Sequence, residues 1–206
     1  MVLDTPIDKR KRRTHNAVLD GAQSLFLEHG YRGTTIDMLA TAADVAVSSI
    51  YANFANGKVD VYAALAWRTA LVHVDEMSSP LDAVEPAEIV AEFLDRYIAF
   101  HRGNPLALRL LGLTDVDKSE STSVGEAKGK IDNALGGLID SVTRAVAEAG
   151  ADVGARALVL TAWASMNGAV SLYQRRIVDQ PMLDEMLAIT RGDTLRHLDG
   201  VFDASR

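Results

Sequence analysis

Residues 34–58 read TTIDMLATAADVAVSSIYANFANGK, and two short helices with a tight turn between them account for this stretch better than any single element. Ile36, Leu39 and Ala40 recur at three- and four-residue spacing, as do Ile50 and Phe54, while AADVA breaks the pattern between them. Thr35 is placed to cap the first helix, over 36–42, with its side-chain oxygen. The second helix runs over 47–54, and the turn over 43–46. Two helices so joined are a candidate helix-turn-helix, in which the second enters the major groove of DNA and the first crosses the backbone.

Outward from this pair the chain stays helical. Val18, Ala22, Leu25 and Phe26 form the buried stripe of a first helix over 14–29, with Gly30 as its terminating glycine. Asn56 is expected to cap a fourth helix over 57–78, which Pro80 ends. Pro86 suits the first turn of a fifth, over 86–101, and Pro105 opens a sixth, over 105–113. Residues 114–125, TDVDKSESTSVG, read as an exposed polar loop. A seventh helix covers 126–149 and stops at Gly150, an eighth covers 152–178 and a ninth 182–202. No strand-like alternation and no internal repeat are present. The expected fold class is all-α, with about nine helices: an N-terminal three-helix helix-turn-helix bundle and a larger C-terminal helical body. The domains expected are 1–56, which includes a basic arm over 1–13, and 57–206.

Residues 13–61 resemble the DNA-binding domain of TetR-family transcriptional regulators. The resemblance rests on many spaced residues in one register: Ala22, Leu25, Phe26, Gly30 and Tyr31; Thr34, Thr35, Ile36, Leu39, Ala40, Ala43 and Val45; Ile50, Tyr51, Phe54 and Lys58. Most of the apolar members would suit any small bundle. The discriminating ones are Thr35, Ser48, Ser49, Tyr51 and Asn53. Thr35 can hold a phosphate at its helix end, where backbone N–H groups are free. Tyr51 reaches a phosphate through its hydroxyl. Ser48 and Ala52 lie opposite the Ile50–Phe54 stripe and face the groove, flanked by Val47, Ser49 and Asn53. Val47 has two readings, contact with a thymine methyl or core packing, and Asn53 pairs with adenine or holds a phosphate. The basic cluster 9–13, with Arg12 and Arg13, precedes the first helix and has two readings, a solvated tail or an arm that contacts phosphate or enters the minor groove.

The chain departs from the family pattern at three places. Asp44 stands where the turn usually has glycine, and Asp tolerates left-handed backbone better than most residues. Ala46 replaces the usual capping serine, so either Ser48 caps a shortened helix or the cap is lost. Gly57 stands where a lysine usually opens the fourth helix. Lys58 follows it, turned by about 100°; Lys58 is kept among the expected DNA contacts, with the N–H groups at Gly57 as the alternative phosphate ligand.

For the C-terminal body the resemblance implies binding of a small molecule and dimerisation. Small residues along 152–178 (Ala155, Ala162, Ala164, Ser165, Gly168, Ala169, Ser171) permit close approach of helices. A homodimer through helices 152–178 and 182–202 is therefore expected, matching palindromic double-stranded operator DNA. The expected effector site gathers Trp67 and Leu71, then Phe93, Tyr97, Phe100 and His101, then Leu108 and Leu111, then Trp163 and Asn167. An apolar lining with a few polar groups suits an apolar or aromatic small molecule. The reading is a ligand-responsive regulator, by family default a repressor released from its operator; the alternative is a helix-turn-helix protein that acts without an effector.

Composition constrains the rest. The 206 residues are 48% hydrophobic and contain no cysteine, which excludes disulfides and thiolate metal sites. The formal net charge is -7, yet residues 1–58 carry seven Lys/Arg against six Asp/Glu, so the acidity lies in the C-terminal part. Five histidines show no metal-ligand spacing, His73 and Asp75 point to different faces of one helix, and there is no phosphate loop or nucleophile motif. No enzyme, metal or cofactor is expected. The basic N-terminus is followed by no apolar core and no stretch is long enough to span a bilayer, so a cytoplasmic protein without membrane association is expected.

Overall fold

The computed structural model describes residues 2–78, 86–148 and 154–204. The described residues form nine helices and no strand: α1 (Lys9–Gly33), α2 (Ile36–Ala42), α3 (Val47–Tyr51), α4 (Lys58–Ser78), α5 (Pro86–Gly103), α6 (Ala107–Gly112), α7 (Thr122–Glu148), α8 (Ala155–Gln174) and α9 (Gln180–Ala204). The expected all-α class and the order of elements hold. The stops expected at Pro80 and Gly150 lie outside the described residues.

The chain divides into two compact units, residues 1–71 with 109–133, and residues 72–108 with 134–206. The first contains α1–α3, which pack on one another. Val18, Leu19, Ala22 and Phe26 of α1 are fully buried with Leu39 of α2, Ile50 of α3 and Phe54. The His15 ring stacks on Phe54, centroids 4.9 Å apart. Phe26, Tyr31 and Tyr62 form a second aromatic group with centroid separations of 5.1–6.0 Å. In the second unit α9 packs on α5 and α8. Its core includes Phe93, Leu94, Tyr97 and Phe100 of α5, Met166 and Ala169 of α8, and Leu183 and Leu187 of α9. Helices α4 and α7 are each continuous and contribute residues to both units. Division by packing thus cuts the chain elsewhere than the functional division expected at residues 56 and 57.

Three local expectations are corrected. The basic cluster does not precede the first helix but belongs to it: α1 begins at Lys9 rather than at residue 14, capped by the Asp8 carboxylate, which accepts from the Lys11 N–H at 2.8 Å. The cations of residues 9–13 therefore line its first turns. Upstream, Leu3 is buried, the Val2 carbonyl lies 3.4 Å from His15 Nε2, and Asp4 pairs with Lys130. Next, α7 starts at Thr122, and Ser121, Ser123 and Val124 are buried, so residues 121–125 are not exposed loop. Finally, α8 ends at Gln174 because Arg176 adopts φ 58°, a left-handed backbone that cannot continue a helix.

The turn between α2 and α3 follows the sequence reading. Asp44 has φ 52°, its N–H donates to the Thr41 carbonyl at 3.2 Å, and the Val45 N–H donates to the Ala40 carbonyl at 3.0 Å. This bond pair ends α2 as a Schellman motif, whose left-handed position favours glycine. Asp44→Gly is expected to raise stability by about 1 kcal/mol, through relief of the left-handed penalty less the added chain entropy. The midpoint of denaturant unfolding checks it.

Candidate functional site

On helix α3 the residues expected to face DNA differ in exposure. Ser48, Tyr51 and Ala52 are exposed, Val47, Ser49 and Asn53 are half-buried, and Ile50 is fully buried beneath them. Thr35 caps α2: its hydroxyl oxygen accepts from the Met38 N–H at 3.2 Å. At the start of α3 the cap position is Ala46, with no side-chain bond, so Ser48 sits within the helix, exposed, and does not replace the missing cap. That omission costs about 1 kcal/mol relative to serine. The Asn53 amide turns back to donate to the Ser49 carbonyl at 2.9 Å, which closes the last turn and takes one of its donors away from a base or phosphate. Arg12 and Arg13 are exposed on the first turns of α1, with an Arg12 guanidinium N–H donating to the Ile7 carbonyl at 3.3 Å.

The entry to α4 differs most from the reading of the sequence. Gly57 has φ 64°, and its N–H is already taken by the Phe54 carbonyl at 2.8 Å, so this amide is not a free phosphate ligand. A Cβ here would come 3.1 Å from Cε1 of Tyr51, and the ring therefore lies close over the glycine backbone. Lys58 turns inward. Its ammonium donates to the Tyr31 and Thr34 carbonyls at 2.7 and 2.8 Å and lies 4.4 Å from the centroid of the Tyr31 ring. Burial lowers its pKa, partly countered by Glu120. The displaced lysine thus closes the kinked end of α1, the turn that follows its regular part, where Gly30 adopts φ 70°, ψ 171°, a region open essentially to glycine. Thr34 adds two bonds there, donating its hydroxyl to the Gly30 and Leu25 carbonyls at 2.8 and 3.2 Å.

Asn56 does not cap α4. Its N–H and side-chain amide instead donate to the Asp60 carboxylate, at 2.9 and 3.2 Å, and the amide also donates to Ser121 Oγ. Asp60 is fully buried and accepts further bonds from Ser121 Oγ, at 2.8 Å, and from Ser123 Oγ. Burial alone would raise its pKa; the bonds from Ser123, the Asn56 N–H and Ser121 outweigh this and leave it below the usual carboxylate value. The start of α4 is thereby fastened to the start of α7. Sequence reasoning missed this cluster. One signal was available: Asp60 is the only charge between Lys58 and Arg68, in the otherwise apolar run VDVYAALAW.

The expected effector residues are divided between the two units. Trp67, Leu71 and Leu111 belong to the first, where Trp67 lies 5.3 Å under the Lys130 ammonium and Leu71 is half exposed. Leu71 is therefore on the surface, because its position on α4 faces away from the packed side. Phe93, Tyr97, Phe100, His101, Leu108, Trp163 and Asn167 all belong to the core of the second unit or pack against it. The Tyr97 hydroxyl donates to Asn167 Oδ1. His73, which was not among the expected residues, joins them: its ring centroid lies 4.8 Å from Phe100 and 5.9 Å from His101, and Tyr97 lies 4.4 Å from His101. His73 and His101 are buried, and none of their four ring nitrogens has a hydrogen-bond partner among the described residues. Each unmet buried group costs about 1–3 kcal/mol.

A cavity of about 340 Å³ opens beside His101, between α5, α8 and α9. Its lining includes Ile98, Pro105, Val170, Leu183 and Leu187, with Arg102, Gln174 and Gln180 also around it. Of the expected effector residues only His101 lines it. The apolar members on α9 were not among the expected effector residues because the helix over 182–202 was assigned to the dimer interface.

The comparisons with known proteins fit this geometry. Residues 18–65 match the family described as bacterial regulatory proteins, tetR family. No curated protein matches the chain. Among solved structures, the chain resembles the TetR-family transcriptional regulator PfmR from Thermus thermophilus, at 19% identity and TM-score 0.67, over 87% of this chain and 97% of that one. It also resembles the fatty acid degradation regulator FadR from Bacillus halodurans (20%, TM-score 0.65, over 88% and 97%) and a TetR-like regulator from Rhodococcus sp. RHA1 (16%, TM-score 0.67, over 91% and 96%). The head thus carries the tetR-family helix-turn-helix, and the chain as a whole has the fold of these regulators.

Two expected outcomes test the site. Burial drives the pKa of His73 down to about 4 and that of His101 to about 3, His73 adding to the latter. Both folded values lie below the unfolded value near 6.5, so the unfolded chain takes up protons first and stability falls as pH drops from 6.5. Between pH 6.5 and 5 each imidazole should account for a loss of about 2 kcal/mol. Unfolding free energies of the wild type and of His73→Phe/His101→Phe across this range should therefore diverge, the variant showing the flatter profile. Lys58→Ala should destabilise the first unit by about 1–2 kcal/mol, because it removes two charge-assisted bonds that close the turn after α1. Hydrogen exchange of the Gly30–Thr34 amides should rise in that variant.

Proposed function

We propose that this tetR-type chain is a ligand-responsive transcriptional regulator, a repressor that leaves palindromic operator DNA when a small apolar or aromatic molecule binds its C-terminal domain. The observation that carries the reading is the head itself: a helix-turn-helix matched over 18–65, with Ser48, Tyr51 and Ala52 exposed on α3 and the cations of residues 9–13 along the first turns of α1. With no arginine or glutamine on that face, base-edge recognition rests on Ser48, Ser49, Val47 and the thymine methyls. Thr35, Tyr51, Arg12 and Arg13 serve the phosphates. Lys58 serves them indirectly, by holding the turn after α1.

Two copies meet through α8 and α9 in this reading. Support comes from the small-residue groove between these helices, lined by Gly154, Ala157, Thr161 and Ser165 among others, and from the exposed Tyr173, Met182 and Ile189. Support for an apolar effector comes from the cavity and buried aromatics of the second unit, and from the likeness in fold to a regulator of fatty acid degradation. Among the described residues no helix is long and apolar enough to cross a membrane, which fits action in the cytoplasm. Helix α4 carries the response: it begins at the Asp60 cluster beneath the head and runs unbroken into the second unit. A ligand that binds better to the conformation unfit for DNA lowers DNA affinity, and DNA lowers ligand affinity by the same factor.

Genomic fragments captured by the full-length chain, then titrated by gel shift, test the reading. Arg12→Ala/Arg13→Ala should flatten the slope of log affinity against log salt by about 2, since each phosphate contact contributes roughly 0.9. An unchanged slope removes these residues from the interface, and failure to select any fragment removes the DNA-binding reading.

A further inference from the structure

Among the described side chains that line the cavity between α5, α8 and α9, the His101 ring and the Tyr173 hydroxyl have no hydrogen-bond partner, and of the two only His101 is buried. The charged group at its edge is already matched: Arg102 donates to the Asp184 carboxylate, and Gln180 Nε2 donates to the same carboxylate at 2.9 Å. Gln174 Nε2 donates to the Pro105 carbonyl at 2.8 Å. His101 is different. It is 6% exposed, lines the cavity, and has neither ring nitrogen bonded among the described residues. Among the described residues its ring neighbours are Tyr97, Phe100 and His73, none of which supplies a balancing charge, and the Tyr97 hydroxyl donates to Asn167.

From this arrangement we infer that the cavity takes a neutral, largely apolar molecule bearing a hydroxyl group, a phenol or an aliphatic alcohol, whose hydroxyl is read by the His101 imidazole. The inference rests on the effector reading above and narrows it. A neutral imidazole offers one donor and one acceptor; a hydroxyl is the smallest group that offers both in return. Burial keeps the ring neutral near pH 7, consistent with this pairing. A carboxylate brings a charge into an apolar site whose cation is already paired, and the desolvation cost opposes it. A plain hydrocarbon fills the volume but leaves His101 as it stands. The volume, about 340 Å³, falls at the small end of ligand sites, which suits a molecule of one ring with a short chain.

Three probes of one shape decide the matter: 4-butylphenol, butylbenzene and 4-butylbenzoate, titrated calorimetrically into the full-length chain. The phenol should bind about tenfold more tightly than butylbenzene, and the benzoate most weakly. In His101→Phe the phenol should lose that advantage while butylbenzene affinity stays within about twofold, showing the cavity intact. If the variant does not fold, the ring nitrogen shifts of His101 in ¹⁵N-labelled wild type take its place; they should move with the phenol and stay put with butylbenzene. Equal binding of phenol and butylbenzene, tightest binding of the benzoate, no saturable binding of any probe, or a phenol preference that survives His101→Phe overturns the inference. Operator release is measured separately. A chain that binds the phenol through His101 yet keeps its DNA retains this site and loses the effector reading. Release by a molecule whose affinity His101→Phe leaves unchanged does the reverse.

Discussion

A buried carboxylate without a cation organises the first unit. Asp60 lies at the start of α4 with no solvent exposure and is held by Asn56, Ser121 and Ser123. An isolated charge in such a place would be expelled or neutralised. Hydrogen bonds from four groups make it tolerable, and each constrains the group that donates it. The turn before α4 and the first residues of α7 must stay where the carboxylate needs them, so the cluster acts as a positional lock rather than a source of bulk stability. The head hangs from that lock: Gly57 and Lys58 lie between Asn56 and Asp60, and through them the Tyr51 ring and the turn after α1 are placed.

This dependence explains the displaced lysine. With glycine one position earlier, the chain can adopt φ 64° and bring the Tyr51 ring down onto its backbone. The lysine that follows is then directed toward the Tyr31 and Thr34 carbonyls. A residue that looks like a shifted DNA contact serves the packing of the head. The uncapped end of α3 is the complementary case, where a local stabilising group is absent and the fully buried Ile50 and Phe54 hold the helix instead.

Much of the fold was legible because it rests on local signals. Apolar periodicity placed α1, α2 and α3, Thr35 announced its cap, and Asp44 announced a left-handed turn. Pro86 marked the start of α5. What was not legible depends on partners far apart in the chain. Asn56 looks like a cap until Asp60, Ser121 and Ser123 are seen together, and a polar run such as TDVDKSESTSVG gives no hint that Ser121 and Ser123 are buried donors. The basic cluster read as lying before the first helix because the apolar stripe begins only at Val18; the Asp8 cap lets the helix start at Lys9. Tyr97, His101 and Asn167 stood out in the sequence as polar groups beside an apolar stripe, whereas His73 was weighed only for metal-ligand spacing and against Asp75, and its place beside Phe100 and His101 depends on the packing of α4 on α5.

The reading face has a consequence for how such a protein changes over time. Ser48 and Ala52 are exposed, Val47 and Ser49 are half-buried, and the buried anchors Ile50 and Phe54 lie on the other side of α3. On the proposed reading, stability and recognition thus fall to different residues of the same short helix. Substitutions at 48 and 52 alter what the groove meets while barely touching the core, as is usual for exposed positions. If the proposed reading holds, operator preference is accordingly free to drift between related chains with the architecture of α1–α3 unchanged.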